Sequence, residues 1–103
     1  MLHTLPVDGV VDIGSSKGCS IWSGYDVVDE RHCVLMCSGG RVTVESVGEG
    51  DTFVNDIEVP KGTFLPQRVP LRGEDLLALW EPDGPTYLFL AGRGKWSPGL
   101  GGA

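Results

Sequence analysis

The segment "DERHCVLMCSGGRVTVESVGEGDTFVND", residues 29–56, decides the fold because two apolar runs flank a pair of glycines. Gly39 and Gly40 can supply the positive φ angles that a two-residue turn between antiparallel strands requires. After the turn, valines alternate with polar residues in "RVTVES", which is the two-residue period of a half-buried strand. The segment therefore predicts a β-hairpin.

The same pattern extends over most of the chain. Short apolar runs alternate with Gly, Pro, Asp and Ser clusters about every 8 to 12 residues, which is typical of an all-β sandwich or barrel. "LRGEDLLALW" could begin a helix at Asp75, but its apolar run is short and ends at Glu81 before a proline, so we expect a strand. The predicted strands are Val10–Ile13, Cys19–Trp22, His32–Cys37, Arg41–Ser46, Thr52–Asn55, Phe64–Val69, Leu76–Trp80 and Thr86–Ala91.

The charge balance limits the class of partner. The chain has 103 residues, of which 41% are hydrophobic, and a formal net charge of -6. This length and composition suit one globular domain. Nucleic acids and anionic membranes attract clustered Lys and Arg, which an acidic chain does not favour. No apolar run approaches the roughly 18 residues that span a membrane. We therefore expect protein or peptide partners, no nucleic acid and no membrane insertion.

The cysteines and the termini suggest the cellular context. An odd number of cysteines, Cys19, Cys33 and Cys37, does not fit a disulfide framework. The N-terminus lacks the basic start and long apolar stretch of a signal peptide, so we expect an intracellular protein, cytoplasmic or nuclear. Residues 92–103, "GRGKWSPGLGGA", are too rich in glycine to form a core. We expect a domain over residues 1–91 and a flexible tail over 92–103.

Metal binding and catalysis are rival hypotheses with weak support. In a strand, Cys33 and Cys37 would lie about 13 Å apart, too far to share one zinc ion unaided, so no metal or cofactor is predicted. A Cys–His nucleophile requires hydrogen-bond contact, but His32 and Cys33 are neighbours that point to opposite faces of a strand. "GEGDTFVN" carries two acids and no Lys, unlike a phosphate-binding P-loop. A small enzyme with a Cys–His site remains an alternative, which thiol titration would test.

Four motifs, in order, resemble those of the forkhead-associated (FHA) domain. "VVDIGSS" at 10–16 resembles its Gly-Arg turn, and "DERHCVL" at 29–35 resembles its Ser-x-x-His strand. "GDTFVND" at 50–56 resembles its Thr-x-Val-Asn-Gly segment, and "PLRGEDLLAL" at 70–79 its late Gly-Asp strand. The resemblance implies an all-β, two-sheet sandwich of the SMAD/FHA type with function in loops at one end. Within the family, the chain looks most like the FHA domains of some transport kinesins and cytoskeletal or junctional scaffolds.

The resemblance also assigns roles to residues that match the family motifs. His32 matches a structural histidine that braces the binding loops, and Gly14 opens the first loop. Thr52 and Asn55 match loop positions, and the family's asparagine holds the backbone of the ligand. These matches imply a scaffold of loops that presents a surface to a peptide or protein.

Three positions depart from the family pattern, and two of them are the positions that hold the phosphate. Ser15 replaces the family's arginine, Asp29 replaces its serine, and Asp56 replaces the glycine after the asparagine. Each missing charge-assisted hydrogen bond contributes about 1.5 to 3 kcal/mol to binding. The sequence therefore predicts a protein-interaction module without strong dependence on phosphothreonine. In the alternative hypothesis, Lys17 and Arg31 replace the lost contacts and the domain binds phosphothreonine peptides.

The predicted partner surface lies in the loops. The predicted partner-binding residues are Ser15, Ser16, Lys17, Tyr25, Asp29, Arg31, Thr52 and Asn55. One interpretation buries Trp22 in the core and leaves Tyr25 as a lone surface aromatic. The other combines Tyr25 and Val27 with Asn55 and Arg31 into one patch, since aromatic and Arg side chains are common at interface hot spots. The partner could be the same polypeptide, a second copy or a separate protein.

Overall fold

The computed structural model describes residues 3–62, 65 and 67–90, which form nine β-strands and no helix. No helix long and apolar enough to cross a membrane occurs in these residues. The predicted tail, 92–103, lies outside the described residues, as do Phe64 and Pro66 of a predicted strand. The strands are β1 (Gly9–Gly14), β2 (Ile21–Trp22), β3 (Cys33–Ser38), β4 (Arg41–Ser46), β5 (Thr52–Val54), β6 (Ile57–Glu58), β7 (Arg68–Leu71), β8 (Leu76–Leu79) and β9 (Thr86–Leu88).

The strands form two sheets, which confirms the predicted two-sheet, all-β fold. One sheet has five strands in the order β2-β1-β3-β4-β7, and the other has four in the order β6-β5-β8-β9. All neighbours are antiparallel except β1 and β2, which are parallel. The apolar residues on the inner faces of both sheets pack together as one core.

The predicted hairpin at the glycine pair is confirmed. Ser38 pairs with Arg41, so the loop between β3 and β4 contains only Gly39 and Gly40. Their φ angles are 59° and 83°, the left-handed values that a tight primed turn requires. The alternation in β4 places Val42 and Val44 in the core, at 3% and 0% exposure.

Sequence patterns located some strands imperfectly. The predicted strand Thr52–Asn55 contains the first strand of a hairpin and the start of its turn. β5 ends at Val54, and a two-residue turn leads into β6. Asn55 and Asp56 form this turn with φ angles of 51° and 69°, values that Asn and Asp tolerate better than most residues. The strand after residue 60 runs from Arg68 to Leu71, further along the chain than predicted.

The strand directions define two ends of the sandwich. At one end, which we call the loop end, Ile13 pairs with Cys33, Cys33 with Ser46, and Thr52 with Leu79. The loops at this end include residues 15–20, 23–32, 47–51 and 80–85, and Lys61, which follows β6, contacts Glu49 and Asp51 here. The opposite end, which we call the hairpin end, carries the turns at 39–40, 55–56 and 72–75.

Replacing Leu79 by Ala should lower the free energy of unfolding by about 2 to 5 kcal/mol, because its fully buried side chain would leave a cavity. Leu88→Ala is the matched control, since Leu88 is 54% exposed and should change stability much less. Urea denaturation of both variants measures the difference. Equal losses would contradict the assignment of the inner and outer faces.

Candidate functional site

A buried histidine joins two loops at the loop end. The side chain of His32 is fully buried. Its Nδ1 accepts a hydrogen bond from the backbone N–H of Asp29 at 3.2 Å, and its Nε2 lies 2.8 Å from the carbonyl oxygen of Asp51. Because an N–H group only donates and a carbonyl only accepts, the ring proton belongs on Nε2. The imidazole therefore holds loop 23–32 against loop 47–51 through two backbone groups.

The backbone of His32 strengthens the same junction. Its N–H donates to the carbonyl of Ile13 at 2.8 Å, which fixes it to the end of β1. Its carbonyl accepts hydrogen bonds from Val47 at 3.2 Å and Gly48 at 3.0 Å. All four hydrogen-bonding groups of this one residue thus connect three segments that are distant in sequence.

Asp29 uses its carboxylate within the protein. Its Oδ2 accepts a hydrogen bond from the backbone N–H of Gly50 at 2.7 Å and lies 3.7 Å from Nδ1 of His32. A Cβ atom at Gly50 would lie 2.7 Å from Cε1 of His32 and 3.2 Å from Oδ2 of Asp29. A side chain at position 50 would therefore displace both residues. The loop needs glycine there so that the carboxylate and the imidazole can pack side by side.

The first loop is attached to the same framework. Gly14 passes so close to the carbonyl of Glu30 that a Cβ atom there would overlap it. The next two residues, Ser15 and Ser16, donate backbone hydrogen bonds to the carbonyls of Asp29 and Glu30 at 2.8 and 3.2 Å. The structure thus brings loops 15–20, 23–32 and 47–51 together.

Exposed basic residues at this end include Lys17, Arg31 and Lys61, and the Nζ of Lys61 lies 3.2 Å from Oδ1 of Asp51. Lys17 is solvent-exposed on loop 15–20. The Arg31 side chain is 59% exposed, and its Nε lies 3.9 Å from Oδ2 of Asp12. The other oxygen of Asp12 accepts a hydrogen bond from the backbone N–H of Ser20 at 2.8 Å. This backbone bond, assisted by the more distant Arg31 charge, lowers the pKa of Asp12.

Exposed apolar side chains accompany these charges. Trp22, Tyr25, Val27 and Val47 are 54%, 60%, 39% and 40% exposed. Trp22 donates a hydrogen bond from Nε1 to the carbonyl of Ser15 at 3.0 Å, and its ring packs on Gly24. The interpretation that buried Trp22 in the core is therefore wrong. The indole covers the first loop from outside, because Trp22 pairs with Gly14 on the outer face of the sheet.

Two predicted site residues are not available at the loop surface. Thr52 is completely buried, and its Oγ1 donates to Oγ of Ser46 at 3.3 Å. Asn55 lies at the hairpin end, about 10 Å along β5 from Thr52. Its amide donates to Oδ1 of Asp75 at 3.0 Å and accepts from the backbone N–H of Leu76 at 2.9 Å. The structure therefore separates Asn55 from the patch in which the sequence placed it.

The thiols have environments that oppose catalysis. Burial raises the pKa of Cys33 to about 12, and burial is also the main cause of raised pKa values for Cys19 and Cys37. A nucleophilic cysteine requires the reverse shift. Both ring nitrogens of His32 are already bonded to backbone groups, so this histidine is not positioned as a base for a thiol.

Comparison with known proteins identifies the class. The sequence model of the FHA domain matches residues 11–79, so the chain belongs to the FHA domain family. No curated protein matches the sequence significantly.

Solved structures show the same fold. The first FHA domain of Mycobacterium tuberculosis Rv1747 has a TM-score of 0.73 and 21% identity, with 88% of this chain and 87% of that chain covered. The MEK1 FHA domain, solved with a phosphothreonine peptide of HOP1, has a TM-score of 0.68 and 16% identity over 82% of each chain. The FhaA FHA domain, solved with the intracellular domain of Rv3910, has a TM-score of 0.65 and 20% identity, covering 76% of this chain and 78% of that one.

Sequence reasoning missed several residues that shape the site. Gly48 and Gly50 leave the space that Asp29 and His32 fill, and Asp51 supplies the carbonyl that His32 binds. The signal was the sequence "GEGD", whose glycines were tested only as a phosphate-binding loop. Val47 joins the exposed apolar group only through folding, because no local pattern distinguishes it from a core valine.

Replacing His32 by Ala should lower the free energy of unfolding by about 2 to 4 kcal/mol, because the Asp29 N–H and the Asp51 carbonyl lose their partner and a cavity forms. The matched control is His3→Ala, since His3 is exposed and the ring contact that it would lose, an edge-on approach to Tyr87 with centroids 6.4 Å apart, leaves no buried polar group unpaired. Urea denaturation provides the measurement. An unchanged midpoint for His32→Ala would contradict the bracing role.

The lowered pKa of Asp12 predicts a dependence of stability on acid. A carboxyl group whose pKa is lower in the folded than in the unfolded state stabilises the fold at pH values above its unfolded pKa, about 3.9. This contribution is lost as the pH falls through the pKa of the folded state. Asp12→Asn keeps an oxygen for the Ser20 N–H but does not titrate. Its urea midpoint should therefore fall less than that of the wild type between pH 6 and about pH 2.5.

Asp83→Asn, a change at an exposed turn residue, is the control for this pH series. An acid dependence that is identical in wild type and Asp12→Asn would contradict the prediction.

Proposed function

We propose that this FHA domain binds a protein or peptide through its loop end without depending on phosphothreonine. The observation that carries the proposal is the Asp29 carboxylate, which accepts the Gly50 N–H at 2.7 Å in the middle of the loop framework. The FHA domain is a protein-interaction module, and the domains of FhaA and MEK1 were solved with a protein domain and a peptide.

The charges at this end favour an unphosphorylated partner. A phosphate within about 4 Å of Asp29 would meet repulsion of roughly 1 kcal/mol in water and up to about 4 kcal/mol at an effective dielectric constant of 20. Ser15 provides no cation where the family resemblance implies an arginine, which removes a further 1.5 to 3 kcal/mol, approximately. Together these effects are large compared with the roughly 8 kcal/mol of a micromolar interaction.

The exposed side chains offer a different means of recognition. Trp22, Tyr25, Val27 and Val47 present apolar surface on a braced framework, and the Arg31 side chain reaches Asp12 of β1 at 3.9 Å. Aromatic and Arg side chains contribute strongly to protein interfaces. A framework that is already ordered loses little entropy on binding. These features suit a partner with an apolar side chain next to an acidic or polar group.

A phosphothreonine reader is the second candidate function. The observation in its favour is that Lys17 is exposed and that Arg31 contacts Asp12 only at 3.9 Å, so both could turn toward an anion. Even so, the Asp29 carboxylate, at the position of the family's phosphate-binding serine, would repel the phosphate.

We further infer an intracellular context for the domain. The free thiols Cys19, Cys33 and Cys37 suit a reducing compartment. Its sequence resemblance to FHA domains of transport kinesins and scaffolds suggests a place in a larger cytoskeletal protein. The partner would then be another part of that polypeptide, a second copy or a separate protein.

The test compares phosphorylated and unphosphorylated peptides. A phosphothreonine peptide library should contain no binder tighter than about 100 μM, as measured by fluorescence anisotropy. Peptides selected without phosphate should bind, and Tyr25→Ala or Arg31→Ala should weaken them at least tenfold.

Val10→Ala, a change at an exposed residue on the outer face of β1, is the control for folding and for non-specific effects. A low-micromolar binder that loses affinity on dephosphorylation would overturn the proposal. So would loop variants that fold normally and bind every selected peptide like the wild type.

A further inference from the structure

The outer face of the four-stranded sheet carries an apolar cluster. Phe53 pairs with Ala78 across β5 and β8, and Leu76 pairs with Leu88 across β8 and β9. Because paired residues and alternate residues share a face, all four side chains point away from the core. We call these four residues the outer apolar patch.

This patch is accessible within the described part of the chain. Leu76 is 47% exposed and Leu88 is 54% exposed, so no described segment covers them. Ala78 is only 3% exposed although it faces outward, which means that neighbouring side chains close around it. The patch is thus continuous across the strands. Its width from β5 to β9 is two strand spacings, about 10 Å.

The strands of this sheet and its two turns carry charge of one sign, and the lysine that follows β6, Lys61, is paired with Asp51 at 3.2 Å. Residues 52–58 and 76–88, which form this sheet and its two turns, contain Asp56, Glu58, Glu81 and Asp83 but no Lys or Arg. All four acids are exposed, and Glu58 pairs with Phe53 on the same face. The five-stranded sheet differs, because Asp12 and Glu45 there have basic partners in Arg31 and Arg68.

We propose that the outer apolar patch is a second docking surface, which binds a basic amphipathic helix of a partner protein. A helix is about 10 Å wide, which matches the patch from β5 to β9. Leucine-like side chains one turn apart would contact Leu76 and Leu88. Lys or Arg on the flanks of the helix would then meet Glu58 and the acids of the two turns.

The charge distribution disfavours other occupants. A second copy of the chain would bring an identical ring of acids against this one. An anionic membrane surface would be repelled for the same reason. Basic flanks on the partner convert this repulsion into attraction, so binding should weaken as salt rises.

The test uses the full chain and three synthetic peptides of about 18 residues. The first is an amphipathic Leu/Lys helix, the second a scrambled isomer of the same composition, and the third a Leu/Glu helix. Amide chemical shifts recorded by NMR locate the contact, and the titration gives the affinity. Only the Leu/Lys helix should bind, with shifts on β5, β8 and β9.

Substitutions define the surface. Leu76→Ser and Leu88→Ser should each weaken the Leu/Lys helix about tenfold, and Glu58→Gln should weaken it severalfold and reduce the salt dependence. Val10→Ser is the matched control, because Val10 is 51% exposed on the other sheet. Tyr25→Ala should have no effect, which separates this surface from the loop end.

Several results would overturn the proposal. Equal binding of the scrambled isomer would mean non-specific attraction, and an equal loss with Val10→Ser would remove the patch as its cause. If sedimentation detects a dimer of the wild type that is lost in Leu88→Ser, the occupant is a second copy of the chain. If Leu88→Ser changes the amide chemical shifts of residues 91–103 in the free protein, the occupant of the patch is instead the chain's own C-terminal segment.

Discussion

The hydrogen bonds of one buried histidine hold together the end of the sandwich where the loops converge. His32 binds the N–H of Asp29 and the carbonyl of Asp51 through its ring, and its own backbone binds β1 and the loop after β4. Water cannot replace these partners at a fully buried position, so losing the ring would leave polar groups unpaired. The geometry of loops 23–32 and 47–51 therefore depends on this single side chain, and loop 15–20 is attached to them by backbone hydrogen bonds.

The same framework determines which groups face solvent. Backbone hydrogen bonds join loop 15–20 to loop 23–32 and loop 23–32 to loop 47–51, and the Asp29 carboxylate occupies the backbone N–H of Gly50. The groups that remain exposed at this end include the side chains of Trp22, Tyr25 and Arg31. The hydrogen bonds within the protein that order these loops also leave their side chains, rather than their backbone groups, facing solvent.

Charge is distributed unevenly between the two sheets. On the five-stranded sheet acids are matched by arginines, whereas the strands and turns of the four-stranded sheet carry only acids around exposed leucines. A net charge of -6 calculated over the whole chain does not reveal this difference. In our two proposals, these surfaces of different chemistry, one at the loop end and one on a sheet face, let one small domain contact two partners at once.

The sequence by itself determined the β class, the hairpin at Gly39 and Gly40 and the inner face of β4, because each depends on residues adjacent in the chain. The resemblance to the family motifs identified the two-sheet sandwich. Only the tertiary structure decided that Asn55 lies at the hairpin end, that Trp22 faces outward and that Leu76 and Ala78 face away from the core. In β8 every residue is apolar, so hydrophobic alternation gives no information about its faces. The partners of His32 and Asp29 lie 19 and 21 residues away, and such contacts are set by how the loops meet rather than by local spacing.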